Sequence, residues 1–200
     1  MTAPTKLAAG EGATPTDTAI IRLTGVEKEY RTGKLSYRAL RGVDLTIDAG
    51  MEWTRMGGLR EQLWTIDGPL LNSLTLISSV REGDFVFLGK RQTKRRPDGA
   101  FYHRGMRPDE LRDLIADGLR EAGAVNVTTS NLRPATFGDR EGLRFEMTMA
   151  NDSGLKYKAM VAAFEHEKGL ALAMYYAPAE YYYPRDEAKV SAMLDTLRWK

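Results

Sequence analysis

Polar and apolar residues alternate along several short stretches of the chain, and that alternation predicts strands. Val43, Leu45 and Ile47 stand against Asp44, Thr46 and Asp48, a period of two that marks a strand with one buried face. Residues 19–24 and 26–31 have strand character, with Thr32-Gly33-Lys34 as a turn. Beyond residue 51 the pattern predicts strands at 62–66, 74–80 and 85–88, separated by Asp67-Gly68-Pro69 and Arg81-Glu82-Gly83-Asp84 turns. Residues 90–105 are polar and basic and read as a long loop.

The period changes at Pro108. Leu111, Leu114, Ile115 and Leu119 recur at helical spacing, so residues 108–122 form a helix. Pro108 suits the first helical position, Asp109 and Glu110 suit the positive end of the dipole, and Gly123 suits the C-terminal cap. Strands follow at 125–137, 143–150, 156–164 and 170–177, and Asn151-Asp152-Ser153-Gly154 turns the second into the third. A closing helix over 184–197 buries Val190, Met193, Leu194 and Leu197. Strands in series with a helix before and after predict an α+β fold, an antiparallel sheet flanked by helices.

Composition narrows the function classes. The chain has 200 residues with 29 Lys+Arg against 27 Asp+Glu, a balance that argues against nucleic acid as a general partner. It has no cysteine, which excludes disulfides, thiol catalysis and Cys-based zinc sites. Residues 1–18 read as a polar, disordered tail with no basic start and apolar core, so a secretory signal is not expected. No apolar run is long enough to span a bilayer, and the cytoplasm is the expected compartment.

Residues 20–50, IIRLTGVEKEYRTGKLSYRALRGVDLTIDAG, resemble the opening β-subdomain of the ABC transporter ATPases of the lipoprotein-release and macrolide-export type. That resemblance implies that Tyr30 takes the place of the tyrosine that stacks on adenine. It also implies a phosphate loop G-x-x-x-x-G-K-S/T soon after Gly50, whose backbone amides and lysine hold the phosphates. The chain instead reads MEWTRMGGLREQLW. Gly83 and Gly89-Lys90-Arg91 have the wrong spacing and no hydroxyl residue after the lysine, and no LSGGQ signature follows. The leader is therefore expected to lack ATPase activity, since phosphoryl transfer needs the lysine and metal ligand that are missing.

The rest of the chain resembles the PsbP/DcrB-type domains, through FGDREGLRFEMTM (137–149), KYKAMVAAFEHEKGLALAMYYAP (156–178) and LDTLRW (194–199). That resemblance implies a small binding or assembly domain without shared catalytic residues. Relatives of this type are often extracytoplasmic lipoproteins, whereas this chain has no lipobox cysteine. Three parts are expected: a tail over 1–18, an ABC-type β leader over 19–50 and a PsbP-like α+β domain over 51–200.

Candidate sites are few. Trp64, Tyr175, Tyr181, Tyr182 and Tyr183 have the amphipathic rings that suit a ligand or partner surface, and also suit packing. Tyr175 and Tyr176 must point to opposite faces of their strand. Lys90, Arg91, Lys94, Arg95 and Arg96 form a basic cluster able to grip anions, with Phe101-Tyr102 beside it as possible base-stacking rings, although such a run also reads as a solvated loop. His103 and His166, the two histidines, read as solvated loop and turn positions with no metal-binding spacing. No cofactor or metal is expected. The expected function is a non-catalytic binding or accessory module, with a protein of an ABC export system as partner. The alternatives are an incomplete ATP-binding component using Tyr30, and anion or nucleic-acid binding through residues 90–96.

Overall fold

The computed structural model describes residues 21–23, 28–32, 35–40, 45–47, 51–56, 61–87, 92–93 and 98–199. The expected tail over 1–18, the Gly33-Lys34 turn and the basic residues Lys90, Arg91, Lys94, Arg95 and Arg96 lie outside the described residues. In chain order the elements are β1 (Ile21–Leu23), β2 (Lys28–Thr32), β3 (Leu35–Leu40), β4 (Leu45–Ile47), β5 (Thr54–Met56), β6 (Glu61–Thr65) and β7 (Ser73–Val80). After these come α1 (Pro108–Glu121), β8 (Val125–Phe137), β9 (Arg140–Ala150), β10 (Lys156–His166), β11 (Gly169–Pro178), α2 (Tyr182–Asp195) and β12 (Arg198–Trp199). The fold is α+β, built on a seven-stranded antiparallel sheet in the order β5-β6-β7-β11-β10-β9-β8.

The central strands explain the architecture. In β10 and β11 nearly every residue is buried, because helices cover both faces. Tyr157, Ala159, Val161 and Ala163 pack with Leu170, Leu172 and Met174 against Leu111, Leu114, Ile115 and Leu119 of α1. Their neighbours Met160, Ala162, Phe164, Ala171, Ala173 and Tyr175 face the other way and pack with Val190, Met193 and Leu194 of α2. The alternation is kept in register across the pair, with Val161 opposite Met174 and Met160 opposite Tyr175.

Local chemistry fixes the ends. In α1 the Glu110 carboxylate accepts the Arg107 backbone N–H at 2.7 Å. At its C-terminus Ala124 N donates to Leu119 O at 3.0 Å and Gly123 N to Arg120 O at 3.1 Å. That pattern is a Schellman motif, and it needs the left-handed backbone that Gly123 adopts at φ 102°. The β9–β10 turn is held by Asn151, whose Oδ1 accepts Ser153 N at 3.1 Å and Leu155 N at 2.9 Å. Gly169 opens β11 at φ +137°, where an added Cβ would lie 2.0 Å from Val80 O.

The outer strand β8 is broken from regularity twice. Its register with β9 shifts between Val125 and Thr128 and between Ser130 and Arg133. Asn126 and Asn131 sit at these irregularities with φ of 53° and 54°. Bulges and Pro134 make an edge that another strand cannot easily extend.

Pairing crosses residue 50. β4 lies between β1 and β12 in a second, three-stranded antiparallel sheet. Ile47 is 0% exposed and belongs to the α2-side core with Leu194 and Leu197. β2 and β3 form a separate hairpin in which Tyr30 stands opposite Tyr37. β3 was not foreseen, since Leu35–Leu40 carries two charged or polar breaks and weak alternation. The strand expected at 85–88 reduces to a bridge between Phe85 and Phe101. The Ala100-Phe101-Tyr102 stretch, expected in a solvated loop, is buried, with Phe101 4% and Tyr102 0% exposed. Those two rings are therefore closed to nucleic-acid bases. Phe101 packs edge-on against Phe85 at 4.3 Å, and the Tyr102 hydroxyl donates to Glu165 at 2.8 Å.

Candidate functional site

The α1 face of the sheet is only partly covered. A helix of 14 residues spans roughly 21 Å at ~1.5 Å per residue, whereas a strand of 11 residues spans roughly 37 Å at ~3.4 Å per residue. Beyond the C-terminus of α1 the sheet is left open, and a cleft of about 490 Å³ lies there. Its floor comes from five adjacent strands: Glu61 of β6, Thr75 of β7, Met174 and Tyr176 of β11, Tyr157 of β10 and Met149 of β9. Phe87, Leu119 and Ala122 to Ala124 form one wall, and Leu70, Ala150 and Asn151 the other.

The walls are mostly apolar. Tyr157 and Tyr176 meet edge-on with centroids 6.1 Å apart. The Tyr157 hydroxyl donates to Leu70 O at 3.3 Å, and burial, then the neighbouring Tyr176, raises its pKa above the usual phenol value. Leu70, which lines the cleft, is 76% exposed. Among the described residues Glu61 is the one charged residue of the lining. Though exposed at the rim, its carboxyl is desolvated by the cleft and its pKa is raised.

The aromatic residues singled out from the sequence lie on the opposite, α2 side. Tyr175 is 0% and Tyr183 2% exposed, so neither offers a surface to a partner. Trp64 is half-buried against the α2-side core and donates to Gln62 Oε1 at 3.2 Å. Tyr182 is half-buried, and only Tyr181, 64% exposed, faces solvent freely. Tyr175 and Tyr183 are consumed by packing because the face that alternation assigns to Tyr175 is the one α2 covers.

Tyr175 also anchors a buried polar network. Its hydroxyl donates to Asp186 Oδ2 at 2.9 Å, Arg185 Nε donates to Asp186 Oδ1 at 2.7 Å, and Asn72 Nδ2 donates to Asp186 Oδ2 at 3.3 Å. Asn72 also donates to Asp67 at 2.7 Å and accepts the backbone N–H groups of Ile66 and Asp67. Arg185 bridges to Asp67 and lies over the Tyr182 ring at 5.0 Å. Burial alone would raise the Asp186 carboxyl, but the Arg185 guanidinium and the Tyr175 hydroxyl hold it below the usual range. Every member has partners, so the network ties the β6–β7 loop to α2 and offers no open chemistry.

His166 is a buried strand end, 4% exposed, rather than the solvated turn expected. Its Nε2 lies 3.0 Å from Ser78 O, and its Nδ1 accepts Lys168 N at 3.2 Å. Those partners select the neutral tautomer with the proton on Nε2, and burial lowers its pKa. His103 is exposed and bonds Glu82 at 2.7 Å. Tyr30 lies in β2, and its side chain is outside the described residues.

Two further hollows are less suited to a ligand. One of about 220 Å³ under α2 contains Arg144, already bonded to Asp195 and to Ser191. Another of about 470 Å³ is lined by Asp98, Glu110, Asp113 and Asp117 beside α1. Among the described residues no group of His, Asp or Glu is arranged to hold a metal ion. No described helix is long and apolar enough to cross a membrane.

No family model and no curated protein matches the chain. Among solved structures it is similar to a protein of unknown function from Pseudomonas aeruginosa, described as a putative regulator. The identity is 11% and the TM-score 0.40, over 86% of this chain and 96% of that one. A likeness of that degree carries no argument about fold or function.

The cleft residues were hard to find from sequence. Glu61 precedes the strand expected at 62–66, and Met149 and Met174 fall within expected strands with nothing in the sequence to mark them as cleft residues. The one available signal was the opposition of Tyr175 and Tyr176, which puts a tyrosine on each face.

Proposed function

We propose that the protein is a non-catalytic binding module whose ligand sits in the cleft beyond α1. The observation that carries this reading is a cleft of about 490 Å³ with an aromatic and methionine floor, within the range of small-molecule sites. Its polar groups, Glu61, Thr75, Asn151, Tyr157 and Tyr176, include no nucleophile paired with a base among the described residues. That supports binding in preference to catalysis. The resemblance of residues 20–50 to an ABC ATPase leader supports a place beside an export system, with no ATP hydrolysis by this chain itself.

Methionine methyl NMR tests the reading. The neutral fluorophore 1-phenylnaphthylamine should bind with rising emission and shift the Met149 and Met174 methyl signals together. Ala122→Trp, at an exposed position of the lining, should fill the cleft and abolish both effects. Emission that rises while Met149 and Met174 stay fixed would place the binding elsewhere and end the proposal.

A further inference from the structure

The electrostatics of the same cleft point to a class of ligand. We propose that it takes a small organic cation, an ammonium carrying an apolar body, with the charge at Glu61 and the body on Tyr157, Tyr176 and Met174. This inference rests on the cleft being a binding site, and adds its chemistry.

Three independent features agree on the sign of the charge. Among the described residues of the lining, Glu61 is the one carboxylate, and no described lysine or arginine lines the cleft with it. No described residue forms an ion pair or hydrogen bond with its carboxylate. A carboxylate set against apolar walls is costly, and its raised pKa reflects that desolvation. An incoming cation relieves the cost, whereas an anion would add to it. The second feature is the C-terminal end of α1, where Leu119, Ala122, Gly123 and Ala124 line the cleft. The negative end of the helix dipole thus faces the cleft. The third is the pair of tyrosine rings, whose π faces attract ammonium groups more than neutral isosteres. The volume limits the occupant to a small molecule, not a folded partner.

Competition against bound 1-phenylnaphthylamine tests the class directly. Benzyltrimethylammonium should displace the fluorophore about tenfold more effectively than neopentylbenzene, its uncharged isostere, at pH 7.5. Benzenesulfonate should compete least. The advantage of the cation should fade as acid protonates Glu61, and should largely disappear in Glu61→Gln. Glu61 is exposed, so that variant should fold normally, and a thermal melt confirms it. Equal displacement by cation and isostere, or a preference unchanged in Glu61→Gln, would overturn the inference while leaving the cleft a neutral apolar site. Failure of all three probes to displace a fluorophore that does bind at Met149 and Met174 would also overturn it. Sedimentation of the protein with phosphatidylcholine vesicles, without any response to the free cation, would make the ligand a membrane headgroup and overturn the small-molecule reading.

Discussion

At Gly169 a single hydrogen in place of a methyl lets β11 begin. The strand approaches Val80 so closely that an added Cβ would overlap its carbonyl oxygen, and the backbone already sits at φ +137°. Gly169→Ala should cost about 3 kcal/mol, combining backbone strain with a displaced strand. Urea denaturation should show a lower midpoint with an unchanged slope; a midpoint within error of the parent would mean that the approach relaxes. The Asp186 network gives a paired comparison. Tyr175→Phe removes one donor from an acceptor that keeps Arg185 and Asn72, and should cost about 1 kcal/mol. Asp186→Ala leaves Arg185, Asn72 and the buried Tyr175 hydroxyl without their shared acceptor, and should cost about 3–5 kcal/mol. If the two variants unfolded at the same urea concentration, Asp186 would not be the centre of the network.

Among the elements, helices and central strands were legible in the sequence, and the reasons are physical. Leu111, Leu114, Ile115 and Leu119 define one face of α1, while Pro108 and Gly123 punctuate its ends, so its limits differ from expectation by one residue. α2 begins two residues before Pro184, because the buried Tyr183 extends the packed face upstream of the proline. The short strands of the first fifty residues were only partly legible, since three-residue strands such as β1 and β4 gain their order from partners distant in the chain. β12 could not be inferred locally: Arg198–Trp199 becomes a strand only through β4. Those pairings make the beginning of the chain structurally consequential. Ile47→Ala should destabilise by about 2–5 kcal/mol, as for a fully buried isoleucine. Removal of residues 1–50 should lower the melting temperature of the remainder, because it exposes the core around Leu194 and Leu197. An unchanged melting temperature would show that β4 is a dispensable attachment.

The molecule as a whole should lose stability in acid in two stages. His166 has a folded pKa lowered from 6.5, so the unfolded chain binds its proton first as the pH falls. Its contribution is fully present above that value and declines as the pH drops through the folded pKa. Arg140, Glu167 and Lys168 are the charged groups that act on it. Asp186 has a folded pKa lowered from 3.8, and its contribution is lost at still lower pH. Denaturation midpoints should therefore fall between pH 7.5 and 5, and His166→Gln should flatten that portion. A profile with the same slope in the variant would assign the first stage to another group.

The twofold interruption of β8 has a consequence for company. Main-chain donors and acceptors at that margin do not follow the even spacing a neighbouring chain would need, so copies of the protein cannot join there into a continuous ribbon. Whatever associates along that margin must recognise side chains in place of an unbroken backbone ladder.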